Sequence, residues 1–539
     1  MRELSAASLA LVCELHRAST PRIPFLKNTD KTIRVLRVLG ESGELAGIPA
    51  IFPFTLDSND QISSAAGESI SKLTDGLEPG DYLDLDLRVR DTPYWQPAYS
   101  FHPGDVVGAR FFHRWQSNPH VLGIAACNRS GYVREEAVRR LASLGITAGL
   151  SYLLIRLNDW VPSVRVQALL AARNRLTSDN RTGFLKCLPI VLRLPIAGRI
   201  DLRPFVRDVF DLLNSQDFES ELTDGLAQLT GRIRREYYKL ALDMRVGIRE
   251  SQVPKMMEDL DPFIRKCLVS WVLSDARSAT AKQVLSILLS DKVESVRKDA
   301  LYAVAEKYPE LKEKALMAGL FDTSESVREV SRYFLQKHGE IDLRGEYLRA
   351  VTGVQGAMLV GAIAGLGECR NLADVEVLEP FLSHPAALVR RETIRSLQLL
   401  REGHYLPEFL RALGDTSLKV VRTAAKAIAN CSPSAAPEQL WEMIQSSKRT
   451  SVRIIVLRLL IRVERWMSVP FLVLAAADQD EAVCNEAVLG LIRLRFDHNR
   501  TVFTIPSAEV KARIREALGA FKGELQFELR QWLTNIASA

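Results

Sequence analysis

Residues 76–107 contain the side chains best suited to contacting a binding partner. Four prolines interrupt this segment, and proline does not fit inside a long regular helix. Rigid aromatic side chains in loops often anchor protein–protein interfaces. The segment is therefore predicted to be an irregular loop insertion, whose aromatic residues either fold back as a lid over neighbouring helices or bind a partner. These residues are Tyr94, Trp95, Tyr99 and Phe101.

A second stretch, residues 231–239, mixes cations with aromatic rings. In GRIRREYYK the basic side chains could neutralise phosphates while Tyr237 and Tyr238 stack on bases. Proteins that bind single-stranded nucleic acid use this combination. The same pattern is also typical of the solvated face of an ordinary helix. The sequence leaves both interpretations open.

The sequence lacks the residue patterns of the common catalytic and cofactor sites. It contains no P-loop, no GxSxG motif and no Rossmann glycine pattern. The seven cysteines form no CxxC pair and the eight histidines form no HExxH motif, so neither a metal site nor a cofactor is predicted. Scattered cysteines in apolar segments are typical of buried thiols in a reducing compartment. These features predict a cytoplasmic protein that is not an enzyme.

A repeated sequence motif indicates which structural elements position these candidate side chains. DKVESVR at 291–297 recurs as DTSESVR at 322–328, 31 residues later. A period of this length is characteristic of solenoid proteins, in which each repeat is one supersecondary unit. Degenerate copies are expected around Arg207, Arg234 and Leu359. Val-Arg pairs of the same phase end at Arg134, Arg165, Arg297, Arg328, Arg390, Arg422 and Arg453, with Ile264-Arg265 and Val483-Cys484 as variants.

Each repeat is predicted to be a pair of helices. An apolar segment with helical period precedes a turn rich in Asp and Ser, whose side chains can accept hydrogen bonds from the first N–H groups of the next helix. In that second helix Val296, Ala300, Leu301 and Val304 form one apolar stripe. About a dozen such hairpins, with almost no strand signal, predict an all-α solenoid.

The recurring Asp291, Val296, Arg297 and Ala300 resemble HEAT repeats, in particular the short bacterial form called PBS-lyase-type HEAT repeats. The resemblance covers roughly residues 31–500 and implies a right-handed α-solenoid. It also implies that the turn aspartate and the arginine form hydrogen bonds between adjacent repeats, so that the arginines are structural.

The same resemblance implies that the second helices line the concave face of the array. Cations recur on these helices, several of them five residues after a Val-Arg pair. They are predicted either to form a shallow basic groove or to be ordinary solvated side chains. Residues 384–539 contain 22 Lys/Arg and 16 Asp/Glu, an excess equal to the net charge of +6 of the whole chain. The predicted groove residues are Arg139, Arg391, Arg395, Lys426, Arg458 and Arg462.

The rhythm of the repeats divides the chain into segments. The uncharged stretch 350–367 has five glycines and is interpreted as a tightly packed degenerate repeat, not as a membrane span. The predicted segments are an N-terminal capping helix (1–30), a first imperfect repeat (31–75), the loop insertion (76–107), the main repeat array (108–500, irregular at 177–260) and two C-terminal capping helices (501–539).

Three functions of different classes are compatible with these features. The preferred one is a non-catalytic scaffold that holds a protein partner on the concave face and the aromatic loop. The alternative is a nucleic-acid-binding protein similar to HEAT-like DNA-repair glycosylases, with Asp159, Trp160 or residues 231–239 at its site. The repeat subtype also implies a lyase-type or chaperone-like role toward a bilin-bearing protein. The scaffold is preferred because no residue of the repeated phrase is chemically reactive.

Overall fold

The computed structural model describes residues 3–19, 28–91, 101–145, 149–274, 279–338, 341–400, 405–431, 437–463, 465–498, 500 and 504–538. The regular secondary structure of these residues is helical, with no β-strand. The all-α prediction is confirmed. The chain divides into two compact units, Met1–Val284 and Leu285–Ala539, and the boundary between them falls within helix α18.

The α-helices up to that boundary are α1 (Ala6–Ser19), α2 (Thr29–Glu41), α3 (Ile48–Ile51), α4 (Asp60–Thr74), α5 (Pro79–Asp91), α6 (Val106–Arg114), α7 (Pro119–Ala125), α8 (Gly131–Ser143), α9 (Leu150–Arg156), α10 (Pro162–Arg173), α11 (Arg181–Lys186), α12 (Leu188–Val191), α13 (Arg203–Leu213), α14 (Glu219–Gln228), α15 (Gly231–Asp243), α16 (Val253–Glu258), α17 (Pro262–Ser274) and α18 (Ala279–Leu288).

The second unit continues with α19 (Glu294–Lys307), α20 (Pro309–Gly319), α21 (Glu325–His338), α22 (Leu343–Gly353), α23 (Gly356–Cys369), α24 (Val375–Leu378), α25 (Ala387–Leu400), α26 (Leu406–Ala412), α27 (Leu418–Cys431), α28 (Pro437–Ser446), α29 (Thr450–Val463), α30 (Arg465–Ala475), α31 (Glu481–Asp497), α32 (Ala508–Ala520) and α33 (Phe527–Ser538). Short 3-10 helices lie at Leu45–Gly47, Phe52–Leu56, Ser178–Asn180, Leu194–Ile196, Gln216–Phe218, Glu250–Gln252, Leu372–Asp374 and Glu379–Ser383.

Helical hairpins stack in sequence within each unit. In the first unit α2 packs against α4, and α8 against α10. In the second unit α23, α25, α27, α29 and α31 pack in that order, each preceded by a first helix. The stacking buries one apolar cluster that extends from Leu320 to Ala537. This is the α-solenoid architecture that the repeats predicted.

A ladder of arginine–aspartate pairs joins adjacent hairpins. Within the turn, Asp322 Oδ1 accepts a hydrogen bond of 2.8 Å from Ser324 N and so closes the turn that leads into the second helix. The arginine of the preceding hairpin binds the same carboxylate, always 25 residues upstream. The structural role implied for the arginines is confirmed in these pairs. They are Arg134–Asp159, Arg234–Asp259, Arg297–Asp322, Arg390–Asp415 and Arg453–Asp478.

At Val421 and Arg422 the predicted register was wrong by one residue. In neighbouring hairpins the ladder arginine lies six residues after the first residue of the turn. Six residues after Asp415 is Val421, so an apolar side chain occupies the ladder position of this hairpin. Arg422 is exposed. Arg449 of the next hairpin replaces the missing arginine, since it donates to the carbonyl oxygens of Asp415 (2.6 Å) and Thr416 (3.0 Å).

The first hairpin begins earlier than predicted. Ser69 Oγ donates to Leu36 O (2.9 Å) between α4 and α2, as Ser396 Oγ donates to Ile363 O (3.0 Å) between α25 and α23. Because α23 and α25 are second helices, we assign α2 as a second helix too. Its first helix is α1, which the sequence predicted as a cap. The two helices expected in residues 501–539 are α32 and α33.

Part of the predicted loop insertion is helical. Residues 79–91 form α5, and Pro79 occupies the start of the helix, where a missing N–H costs nothing. Leu85 and Val89, four residues apart, are fully buried (0% and 1% exposed), which is a helical spacing. The loop prediction was wrong for residues 79–91, because the alternation of Leu and Asp made the four-residue spacing of the buried apolar residues hard to recognise.

The uncharged stretch 350–367 is confirmed as a tightly packed element. In α23 a Cβ on Gly361 would collide with the carbonyl oxygen of Phe321, and a Cβ on Gly367 would lie 2.6 Å from Ser396 Cβ. Only glycine permits these approaches. Among the described residues, no helix combines the length and apolar character that crossing a membrane requires.

Candidate partner-binding surface

Basic residues occupy one register position on three consecutive second helices of the second unit. Arg395 on α25, Lys426 on α27 and Arg458 on α29 each lie five residues after the ladder position of their helix. All three are exposed. Packed helices lie about 8–10 Å apart, so the three side chains form a regularly spaced line, which we name the basic row. Lys426 belongs to the basic row because the ladder position of α27 is Val421 and not Arg422.

The carboxylates next to the basic row are buried. Glu392 and Glu486 are each 7% exposed. Glu392 binds Arg395 at 3.3 Å, and Glu486 accepts two hydrogen bonds from Arg458, of 2.9 and 2.6 Å. These bonds hold the pKa of Glu486 below its usual range and raise that of Arg458. The arginine side chains are still 58% and 62% exposed, so the surface presents cations and hides their counter-charges.

The other predicted groove residues of this unit differ in environment. Lys426 and Arg462 are exposed, and the described part of the chain offers neither an ion-pair partner. Arg391 is half-buried, and its Nε is buried without a hydrogen-bond acceptor among the described residues. Among the predicted groove residues of this unit, Lys426 and Arg462 are therefore the two most available to a partner.

Charge in this region is sorted between the two layers of helices. The second helices α25, α27, α29 and α31 contain eleven Lys/Arg and four Asp/Glu. The first helices α24, α26, α28 and α30 contain two Lys/Arg and four Asp/Glu. The positive excess of this half of the chain thus lies on one layer, which favours an acidic partner there.

Arg139, the sixth predicted groove residue, belongs to the first unit. It occupies the same register, five residues after Arg134, and is exposed. Its Nε donates to Glu136 of the same helix at 2.7 Å. Within its own hairpin, Arg139 therefore occupies the position that each residue of the basic row occupies in its hairpin.

The aromatic loop is only partly described. Phe101 is 7% exposed, and its ring centre lies 5.1 Å from that of Phe111 and 6.1 Å from that of Phe112. It packs into the core at α6, as the lid interpretation expects, and it is not an exposed anchor. Outside the described residues lie the other three predicted anchors, Tyr94, Trp95 and Tyr99.

Residues 231–239 do not form a stacking platform for bases. Tyr237 and Tyr238 on α15 are 1% and 5% exposed, and the ring of Tyr237 stacks on Phe210 with centres 4.9 Å apart. Burial raises the pKa of both phenols. Arg234 is a ladder residue bound to Asp259. The nucleic-acid interpretation of this stretch was wrong because its aromatic residues form the core.

A family model described as HEAT repeats matches residues 375–460, the segment that carries the basic row. The resemblance to HEAT repeats is supported for these residues. The ladder bonds of residues 390–415 lie inside this match and recur outside it, at 134–159, 234–259 and 297–322. No curated protein matches the chain.

Several solved structures resemble this chain at low sequence identity. The S. pombe condensin Cnd3–Cnd2 subcomplex is 14% identical, with 99% of this chain and 84% of that chain covered and a TM-score of 0.33. Importin beta is 12% identical over 97% of this chain and 73% of that chain, with a TM-score of 0.30. Kap121p is 13% identical over 98% and 53%, with a TM-score of 0.28. These likenesses concern the fold alone.

Proposed function

We propose that this chain is a non-catalytic scaffold that binds a protein partner on the second helices of residues 387–497. The observation that carries the proposal is the basic row, in which Arg395, Lys426 and Arg458 repeat at one register. The carboxylates that bind the two arginines are buried. Successive cations about 8–10 Å apart match an extended acidic segment that runs across the helices. Complementary charge of this kind speeds association and selects partners.

Exposed apolar side chains on the same helices favour a protein over a nucleic acid. Leu489 on α31 is 47% exposed and occupies the register of the basic row, and Leu399 on α25 is also 47% exposed. Protein interfaces use such contacts, whereas the sugar–phosphate backbone is bound mainly through charge and hydrogen bonds. We therefore propose a partner segment that combines acidic and apolar residues. Tyr94, Trp95 and Tyr99 remain a separate proposed contact.

We also propose that the protein works in a reducing compartment such as the cytoplasm. All seven cysteines are free thiols. Burial raises the pKa of Cys187 to about 11 and that of Cys267 to about 12. A thiol that stays protonated is a poor nucleophile, which is consistent with a packing role for these side chains.

Affinity purification from the source organism tests the scaffold proposal. The variant Lys426→Glu with Arg462→Glu reverses two cations without breaking an ion pair among the described residues. The control Lys448→Glu with Arg465→Glu makes the same charge change at exposed positions outside the second helices, again without breaking an ion pair among the described residues. We expect a protein that stays bound through nuclease treatment with the wild type and the control, and falls roughly tenfold or more with the first variant. Equal recovery with all three chains, or loss on nuclease treatment, would refute the proposal.

A further inference from the structure

A cavity of about 450 Å³ opens in the first unit, away from the basic row in sequence. Its walls come from α5, from the end of α9 with the turn that follows, and from residues 190–199. Cavities of roughly 300–1,000 Å³ are the usual size of small-molecule sites. The helix α5, which interrupts the repeats, closes one side of this cavity.

Three arginines and two aspartates form one network at this cavity. Arg134 donates hydrogen bonds of 2.9 and 2.7 Å to Asp159 as part of the ladder. Arg156 bridges Asp159 (3.1 Å) and Asp86 (2.5 Å). Arg90 also reaches both carboxylates, at 3.1 Å to Asp86 and 3.3 Å to Asp159. The network has one more guanidinium than carboxylate, so it carries a positive charge.

Two polar atoms of the cavity lining are buried without a partner. Arg156 is 1% exposed, and its Nε lacks an acceptor among the described residues. The Oδ1 of Asn158 is likewise buried without a donor. Burying a polar atom without a hydrogen-bond partner is unfavourable. Both atoms belong to residues that line the cavity, so the polar groups behind its wall are incompletely paired.

The mouth of the cavity carries an exposed tryptophan. Trp160 is 71% exposed, and the guanidinium carbon of Arg199 lies 5.2 Å from its ring centre. Arg193 is exposed on the same lining. The fold does not require a tryptophan at this turn position, because other residue types occupy the equivalent position in other hairpins. The residues that follow the turn aspartate in other hairpins are Leu260, Lys292, Thr323, Thr416 and Gln479.

We propose that this cavity binds a small heteroaromatic anion, a planar ring system that bears a carboxylate or phosphate group. The excess positive charge of the network and the rim arginines would hold the anionic group. Trp160 and the aliphatic wall, which includes Leu87 and Leu154, would hold the ring. The site is independent of the proposed partner surface, since it shares no residue with the basic row.

Titration calorimetry with matched probe pairs tests this assignment. Adenosine 5′-monophosphate is compared with adenosine, and indole-3-acetate with indole-3-acetamide, with inorganic phosphate as the ring-free control. We expect at least one anion to bind with a Kd below about 1 mM, and its neutral counterpart and inorganic phosphate to bind roughly tenfold or more weakly. Failure of both anions to bind, or equal binding of an anion and its neutral counterpart, would overturn the proposal.

Variants at the mouth separate this site from non-specific binding. Trp160→Ala and Arg199→Gln change exposed side chains and should leave the helical circular dichroism intact. Each should weaken the anion roughly tenfold. The control Tyr132→Ala removes another exposed aromatic ring of the first unit (67% exposed) that does not line the cavity, and should not alter binding. Unchanged affinity in Trp160→Ala, or an equal loss in Tyr132→Ala, would contradict the proposed site.

Discussion

Arg297 and Asp322 lie 25 residues apart in the sequence and join two adjacent hairpins. Nε and Nη2 of the arginine each donate a hydrogen bond of 2.7 Å to the carboxylate. The Nη1 of the same arginine donates to the carbonyl oxygen of Asp291 in its own turn, also at 2.7 Å. The hydrogen bonds that Arg297 donates to Asp322 raise the pKa of the arginine. One side chain thus fixes the turn of one hairpin to the turn of the next.

Loss of a ladder arginine should loosen the hairpins on both sides. We expect Arg297→Ala to destabilise α19 and α21 by about 3 kcal/mol, because it leaves a largely buried carboxylate without its guanidinium. Solenoids lose stability locally, so amide hydrogen exchange measured by mass spectrometry is the appropriate readout. Lys307→Ala, at an exposed position of α19, is the control. Unchanged exchange in α21 would argue against the ladder as a stabilising element.

Because Val421 and not Arg422 occupies the ladder position of α27, we expect Arg449 and not Arg422 to stabilise this turn. Arg449→Ala removes two hydrogen bonds to the turn carbonyls of Asp415 and Thr416 and should cost about 1–2 kcal/mol. Arg422→Ala should cost less than about 0.5 kcal/mol, as is usual for an exposed side chain. Chemical denaturation of the two variants compares these values. A larger cost for Arg422→Ala would restore the original register.

Acid should weaken the ladder at Asp415. The hydrogen bonds from Arg390, assisted by the backbone N–H of Ser417, hold the pKa of Asp415 below its ordinary value of 3.8. Since the folded pKa is the lower one, the contribution to stability is complete above the unfolded pKa and is lost as the pH falls through the folded value. Asp415→Asn should therefore be clearly less stable than the wild type near pH 7, and the difference should narrow as the pH falls below 3.8. A difference between the denaturation midpoints that stays constant as the pH falls would exclude this explanation.

The close packing of α23 can be tested with a matched pair of glycines. Gly361→Ala should destabilise the second unit by about 1–3 kcal/mol or more, because its Cβ would collide with the backbone carbonyl of Phe321. Gly353→Ala places its Cβ in open space and should be nearly neutral. Thermal unfolding followed by circular dichroism measures both. Similar melting temperatures for the two variants would contradict the packing described for α23.

The repeat period predicted the fold well, because each helical hairpin is specified by residues that lie close together in the sequence. The turn aspartate and the arginine recur at fixed spacing, so the hairpins and the ladder followed from the sequence. The error at Val421 arose because two valines precede Arg422, and the pattern alone does not decide which residue faces the turn. The spacing from Asp415 decides it, and that rule emerged only from the structure.

The sites depended more on contacts between distant residues. Arg395 and Arg458 were predicted from their register, but their pairing with buried Glu392 and Glu486 was not. The network at the cavity joins Asp86 on α5 to Arg156 on α9, 70 residues further along the chain. No local pattern in the sequence indicates such a contact. The sequence signal nearest to this contact was a tryptophan, Trp160, directly after the turn aspartate Asp159.

Zero-length carbodiimide cross-linking of the purified complex tests the scaffold proposal most directly. The reagent joins a lysine amine to a carboxylate only where the two are in contact, and mass spectrometry then identifies both residues. The proposed surface predicts that Lys426 is linked to an Asp or Glu of the partner, and that the yield of this product falls in Arg462→Glu, which keeps the lysine. Partner links confined to lysines of the first unit, such as Lys31 or Lys72, with none at Lys426, would contradict the proposal.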